Sequence, residues 1–134
     1  MRPRNAARRS LHDCNEVGTA FATALGAKDF DALEKILAAD VDFRALTPNL
    51  AWQKRSAKEV VADVLNEWFD ENDHIEELRT VQVRPVAGPR SLLSYTLVVR
   101  NDDGMYLVEQ QAYFECANGK ITCLRVLCAG YIAV

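Results

Sequence analysis

Residues 113–126, with the sequence YFECANGKITCLRV, contain the clearest indication of the fold. The hydrophobic pattern around them has a period of two, as in a β-strand, and Ala117-Asn118-Gly119 interrupts it. An Asn-Gly pair between two such runs is typical of a tight β-hairpin. The segment therefore predicts two long antiparallel strands joined by a short turn.

The same period-two pattern extends from Ile75 almost to the end of the chain. It predicts four long strands, over residues 75–86, 92–100, 105–115 and 120–134. The breaks between them contain Gly88, Gly104 and Gly119, each beside proline, asparagine or aspartate, as turns require. This part of the chain predicts a sheet of consecutive antiparallel strands.

The N-terminal half has helical spacing instead. Apolar residues recur every three or four positions over residues 17–25, which predicts a first helix that ends near Gly26. Residues 29–37 predict a short second helix, and Asp29 is placed to cap it.

A strand and a third helix follow. Residues 41–46 alternate between apolar and polar and predict an early strand, which Thr47-Pro48-Asn49 ends. Ser56 and Glu59 have the spacing of a capping box and predict the start of a third helix. The chain is expected to be α+β, with three N-terminal helices packed on a strongly curved antiparallel sheet.

Length and composition restrict the classes of function. The chain has 134 residues, enough for one domain with a substantial core, and its net charge of −3 makes nucleic acid an unlikely partner. Residues 1–10 are rich in arginine and predict a flexible basic tail before a single domain over residues 11–134. No apolar run approaches the roughly 18 residues of a membrane span, so no membrane association is expected.

Cysteine and histidine usage predicts neither disulfides nor a metal site. The four cysteines, at positions 14, 116, 123 and 128, form no C-x-x-C pair. The chain shows no export signal, so we expect reduced thiols packed in the core of a cytoplasmic protein. His12 and His74 are far apart in sequence, and no metal or cofactor is predicted.

The order of these elements resembles the nuclear transport factor 2-like superfamily. The resemblance rests on residues 20–43, AFATALGAKDFDALEKILAADVDF, on residues 55–65, RSAKEVVADVL, and on the hairpin of residues 113–126. It implies a cystatin-like cone in which the sheet curls around a mostly apolar cavity closed by the helices. Ketosteroid isomerases, limonene epoxide hydrolases, SnoaL-type polyketide cyclases and many uncharacterised binding proteins have this fold.

The acids of the known enzymes are not found at the corresponding positions. Alignment to ketosteroid isomerase places Phe21 at the catalytic tyrosine, Arg44 or Ala45 at the base and Gln111 at the oxyanion aspartate. The aspartate that cyclases and epoxide hydrolases carry after the GKI segment is missing from residues 126–130, VLCAG. The resemblance therefore leaves open whether this chain is an enzyme.

Residues 107–113, LVEQQAY, provide the polar groups expected in the cavity. Glu109, Gln111 and Tyr113 share one face of a strand, and the alignment favours that face as the inner one. Glu109 would then be the candidate catalytic base, and Gln111 and Tyr113 would bind ligand. A register slip of one residue would reverse the assignment and leave all three as exposed polar residues.

Four further residues are candidates for the cavity wall. They are Phe21, Trp52, Tyr95 and Cys128. Together with Glu109, Gln111 and Tyr113 they predict a domain that binds a small apolar or carbonyl-bearing molecule. Two alternatives remain open: an isomerase-like, cyclase-like or hydrolase-like enzyme with relocated catalytic groups, and an association module. The resemblance also implies a homodimer formed through the sheet.

Overall fold

The computed structural model describes the backbone of residues 2–134 and the side chains of residues 14–134. Within residues 2–134 the chain forms three helical stretches and a sheet of six strands. The side chains of the predicted basic tail, residues 1–10, lie outside the described residues, so its character stays a prediction.

The second and third helical stretches begin where the sequence provides caps. Helix α1 spans Arg2–Gly26, and helix α2 spans Phe30–Ile36. The Asp29 carboxylate caps α2 by accepting a hydrogen bond from the Ala32 backbone N–H at 3.1 Å.

The third helical stretch, α3, has three consecutive segments. They are Ala57–Glu59, a π-helical turn over Val60–Leu65, and Asn66–Trp68. The Ser56 hydroxyl accepts from the Glu59 backbone N–H at 3.1 Å, as the capping box predicts.

The six strands form one sheet, in the order β2-β1-β6-β5-β4-β3. Their bounds are β1 Leu37–Thr47, β2 Leu50–Lys54, β3 His74–Pro85, β4 Ser91–Asn101, β5 Gly104–Ala117 and β6 Lys120–Ala133. Neighbouring strands are antiparallel except β1 and β6, which run parallel. The sequence predicted every strand except β2, which was expected to be a loop.

All three helical stretches cover one face of the sheet, and the core lies between the two layers. Phe21 and Leu25 of α1 and Leu33 of α2 are fully buried there, together with Phe43 and Phe114 from the sheet. This arrangement confirms the predicted α+β class with helices packed on a curved sheet. The opposite face of the sheet, here called the outer face, has no helix over it among the described residues.

The expected orientation of Glu109, Gln111 and Tyr113 on β5 is wrong. Val108, Gln110, Ala112 and Phe114 are buried, whereas Glu109, Gln111 and Tyr113 are exposed on the outer face. The more apolar of the two faces of β5 is the one that packs under the helices, since burial of Val108 and Phe114 outweighs the cost of one buried amide. The register differs by one residue from the one that the alignment favoured.

The expectation of four reduced cysteines is also wrong. Cys14 of α1 and Cys116 of β5 form a disulfide across 102 residues of sequence, with their Cα atoms 5.7 Å apart. That separation is ordinary for a disulfide. Cys123 and Cys128 are free thiols.

The described residues contain neither a helix that could cross a membrane nor a group of side chains that could hold a metal ion. No helix there has both the length and the apolar character needed to cross a bilayer. No group of three or more histidine, cysteine, aspartate or glutamate side chains is arranged there to hold a metal ion.

Candidate functional site

A β-bulge in β6 shapes the inner side of the sheet. Gln110 pairs with Cys128 and Val108 pairs with Tyr131, so one residue of β5 opposes two residues of β6. Gly130 lies in the bulge with a φ of +90°, a conformation that favours glycine. Because the bulge shifts the alternation by one residue, Cys128 and Tyr131 both face the helices.

Beside the bulge lies a pocket of about 240 Å³, here called the inner pocket. Its wall includes Trp68 and Phe69 at the end of α3, Gln110 of β5, Cys128 and Tyr131 of β6, and Pro48 from the turn between β1 and β2. Most of these side chains are apolar or aromatic, and a few polar groups stand among them. Small-molecule sites commonly have this composition.

Gln110 is the most deeply buried polar side chain of the inner pocket, with 2% of its surface exposed. The Tyr95 hydroxyl, on the neighbouring strand, donates a hydrogen bond to the Gln110 Oε1. The Gln110 Nε2 has no partner among the described residues. Since Tyr95 occupies the carbonyl oxygen, the unused capacity of Gln110 is that of a hydrogen-bond donor.

The Tyr95 hydroxyl is protonated and can donate a hydrogen bond. Burial, with a smaller contribution from Cys128, raises the pKa of Tyr95 above its ordinary value. The hydroxyl therefore keeps its proton at neutral pH and fixes the orientation of the Gln110 amide. Tyr95 does not itself line the inner pocket.

Trp68 carries a second unused donor. Its indole Nε1 is buried and has no hydrogen-bond partner among the described residues. The ring lies between Phe43 and Trp52, whose centroids are 6.3 Å and 6.1 Å from its own. These aromatic contacts restrict the indole to one position in the pocket wall.

Tyr131 connects the pocket wall to the end of α3. Its hydroxyl oxygen lies 2.7 Å from the Trp68 carbonyl oxygen and 3.1 Å from the Asp73 Oδ2. Asp73 is itself buried and accepts a hydrogen bond from Asn101 at 3.1 Å. Burial, and then the Asp73 carboxylate, raises the pKa of Tyr131, so this hydroxyl too stays protonated at neutral pH.

The inner pocket can therefore donate hydrogen bonds but lacks a strong base. Among the described side chains, no carboxylate, imidazole or amine lines it. The Cys128 sulfur accepts a hydrogen bond from the Gly130 backbone N–H at 3.4 Å. A thiol without an adjacent base is a weak nucleophile. The arrangement suits recognition of a hydrogen-bond acceptor.

The structure brings together only some of the residues predicted for the cavity. Cys128 lines the inner pocket, Tyr95 contacts Gln110, and Trp52 contacts Trp68 from a half-buried position. Phe21 is buried in the core but does not line the pocket. Their roles in ligand binding stay predictions.

Glu109, Gln111 and Tyr113 lie on the other side of the sheet. Gln111 and Tyr113, with Trp52, line a different pocket of about 550 Å³, here called the outer pocket. Glu109 lines neither of the two pockets, so its predicted role as a base inside the cavity has no structural basis.

Sequence reasoning missed Gln110, Trp68 and Tyr131 as pocket residues. Gly130 was the available signal, because a glycine inside a strand often marks a bulge, and a bulge changes which side chains face inward. Trp68 has no comparable signal in the sequence.

Known proteins with a similar structure have low sequence identity to this chain. No family model matches the chain, and no curated protein matches it. An LEH-like epoxide hydrolase from M. tuberculosis has a TM-score of 0.67 at 18% identity, over 88% of this chain and 84% of its own.

Two further solved structures have similar values. A protein from Xanthomonas campestris pv. campestris, provisionally described as a polyketide cyclase, has a TM-score of 0.67 at 20% identity, over 88% of this chain and 91% of its own. A protein with a ketosteroid isomerase-like fold from Catenulispora acidiphila, solved with trimethylamine, has a TM-score of 0.63 at 16% identity, over 83% of each chain. The chain has the nuclear transport factor 2-like cone fold that the sequence predicted.

Proposed function

We propose that this chain is a small-molecule-binding domain whose ligand occupies the inner pocket. At about 240 Å³ the pocket suits a compact molecule of roughly ten non-hydrogen atoms at the packing density of protein interiors. The ligand is largely apolar and carries at least one hydrogen-bond acceptor, such as a ketone or ester carbonyl.

The unpartnered Nε2 of Gln110 is the observation that carries this proposal. A buried donor left without a partner costs about 1–3 kcal/mol, so it is expected to have a use. A ligand carbonyl would satisfy it, and the indole N–H of Trp68 offers a second donor in the same wall. Apolar contacts with Phe69 and Pro48 would add affinity without fixing the ligand's orientation.

Binding is favoured over catalysis because none of the described residues that line the inner pocket is suited to accept a proton. Proton abstraction beside a carbonyl requires a base within about 3 Å of the carbon-bound proton. Glu109 lies on the outer face, and the hydroxyls of Tyr95 and Tyr131 are held protonated. The inner pocket thus has hydrogen-bond donors of the kind that polarise a carbonyl in an isomerase or a hydrolase, but its described residues do not include the base that such an enzyme also needs.

Two matched probes test the proposal. Acetophenone carries a carbonyl, and α-methylstyrene has nearly the same shape with a methylene group in its place. In ¹H–¹⁵N spectra, we expect acetophenone to shift the side-chain amide resonances of Gln110 and to bind more tightly than α-methylstyrene. The Gln110 resonances are assigned by their absence from the Gln110→Leu variant.

The Gln110→Leu variant should bind acetophenone at least about tenfold more weakly, because a buried hydrogen bond to a carbonyl is lost. Gln82→Leu is the matched control, since Gln82 is exposed on β3, far from the pocket, and its substitution should leave binding unchanged. Equal affinity for the two probes, or an equal effect of the two substitutions, would contradict the proposal.

A further inference from the structure

The outer pocket is a second concave surface, on the opposite side of the sheet from the inner pocket. It crosses strands β2, β1, β6 and β5, and its volume of about 550 Å³ is more than twice the 240 Å³ of the inner pocket. None of the proposed interactions of the inner pocket uses it.

Strand pairing arranges the outer pocket as two parallel rows of side chains. In one row Arg44 pairs with Gln53 on one side and Arg125 on the other, and Arg125 pairs with Tyr113. In the next row Leu46 pairs with Ala51 and with Leu127. A polar row that contains two arginines therefore lies directly beside an apolar row.

The apolar row is unusually exposed. Leu46 exposes 56% of its surface and Leu127 exposes 59%, and the ring of Tyr113 at the end of the polar row exposes 48%. Single exposed apolar side chains are common, but a group of them lining one pocket marks a binding surface.

The two arginines of the polar row differ in their availability. Arg125 donates to the Asp42 carboxylate at 3.0 Å and to the Asp42 carbonyl at 2.8 Å, and the pKa of Asp42 is lowered chiefly by this hydrogen bond. Arg44 is exposed and forms no salt bridge with any described residue. Its guanidinium is therefore the group available to an incoming anion.

We propose that the outer pocket binds an amphipathic carboxylate, with its apolar chain on Leu46 and Leu127 and its carboxylate on Arg44. Arg44 and Leu46 are two residues apart on one strand, so both face outward about 7 Å from each other. An anionic head and a short apolar tail would span this distance. The Tyr113 ring closes the other end of the surface.

A second copy of the chain suits this surface less well. A symmetric dimer would place the same surface on both sides of the interface. No carboxylate side chain lines the outer pocket among the described residues, so the pocket of a facing copy would itself bring no acid to Arg44. A carboxylate ligand provides both the charge and the apolar surface that the two rows require.

The test uses octanoate and 1-octanol, which share an apolar chain and differ in charge. Octanoate is expected to shift the methyl resonances of Leu46 and Leu127 and the side-chain amide of Gln111, while the Gln110 amide of the inner pocket stays unchanged. It should bind about two- to fivefold more tightly than 1-octanol, since only the carboxylate can pair with the exposed Arg44.

Two variants complete the test. Arg44→Gln is expected to weaken octanoate binding by about two- to fivefold and to leave octanol binding unchanged, because it removes one charge at an exposed position. Arg84→Gln, on the far edge strand β3, is the matched control and should change neither.

Three results would overturn the proposal: octanoate shifts confined to Gln110, equal effects of Arg44→Gln and Arg84→Gln, or a dimer in sedimentation that excludes octanoate from the outer face. None of these three results bears on the proposal for the inner pocket, which the acetophenone experiment tests separately.

Discussion

Gln110 remains buried because it lies between apolar neighbours on the same face of β5. Val108 and Ala112 flank it two residues away on either side and are themselves fully buried. An alternating strand cannot turn one of these residues outward without turning the others. Burying the apolar residues of that face therefore also buries the Gln110 amide. The Tyr95 hydroxyl donates a hydrogen bond to the Gln110 Oε1.

The Tyr95–Gln110 hydrogen bond predicts a coupled effect on stability. Tyr95→Phe is expected to lower the free energy of unfolding by about 1–2 kcal/mol, because it leaves the buried Gln110 Oε1 unpaired. Gln110→Leu leaves the Tyr95 hydroxyl unpaired but also removes the unpartnered Gln110 Nε2, so its loss of stability should be smaller. The double variant removes both polar atoms, so it should lose about 1 kcal/mol less than the sum of the single losses. Urea denaturation of the four proteins measures this, and additive losses would show that the two side chains are not coupled.

At the scale of elements, the sequence predicted those helices and strands whose ends are marked by a local pattern of residues. Helix α2 and the start of α3 follow from the caps Asp29 and Ser56, and the last hairpin follows from its Asn-Gly turn. Strand β2 was missed because five residues after a Pro-Asn turn are too few to show a period.

The inner pocket depends on the bulge in β6, which is not a local pattern. Its presence is set by the register between β5 and β6, and a sequence read one strand at a time does not contain that register. Tyr131 was therefore not identified as a pocket residue. Glu109 and Gln111 were assigned to the wrong face for a different reason, because the alignment favoured a register shifted by one residue.

Gly130 is expected to be essential to the bulge. A Cβ atom there would lie 2.8 Å from the Pro48 Cγ, and the φ of +90° would be strained for any other residue. Gly130→Ala should lower the free energy of unfolding by about 2 kcal/mol or more and weaken acetophenone binding.

Gly119→Ala is the matched control for this substitution. Gly119 also has a positive φ, +76°, but a Cβ there would meet nothing within 4 Å. The control should lose about 1 kcal/mol, from strain alone, and should leave acetophenone binding unchanged. Thermal unfolding and the same titration compare the two variants, and equal losses would mean that contact with Pro48 contributes nothing.

At the scale of the molecule, one sheet has two different surfaces. The inner face holds the inner pocket with its two unpartnered donors, and the outer face holds Arg44 and an exposed apolar row. Because side chains alternate along a strand, β5 and β6 contribute neighbouring residues to opposite pockets. The sequence LVEQQAY thus contains residues of both, with Gln110 on the inner side and Gln111 and Tyr113 on the outer side.

The disulfide between Cys14 and Cys116 is the longest-range covalent link in the described chain, and it joins α1 to the end of β5. Closing a loop of 102 residues restricts the unfolded chain and is expected to stabilise the protein by up to about 4–5 kcal/mol. Cys14→Ser, or reduction with dithiothreitol, should lower the urea midpoint by a corresponding amount, whereas Cys123→Ser should not. Thiol titration of the unfolded protein should count two free thiols before reduction and four after it. Four thiols before reduction, with stability unaffected by dithiothreitol, would restore the sequence-based expectation of reduced cysteines, which is the usual state in the cytoplasm.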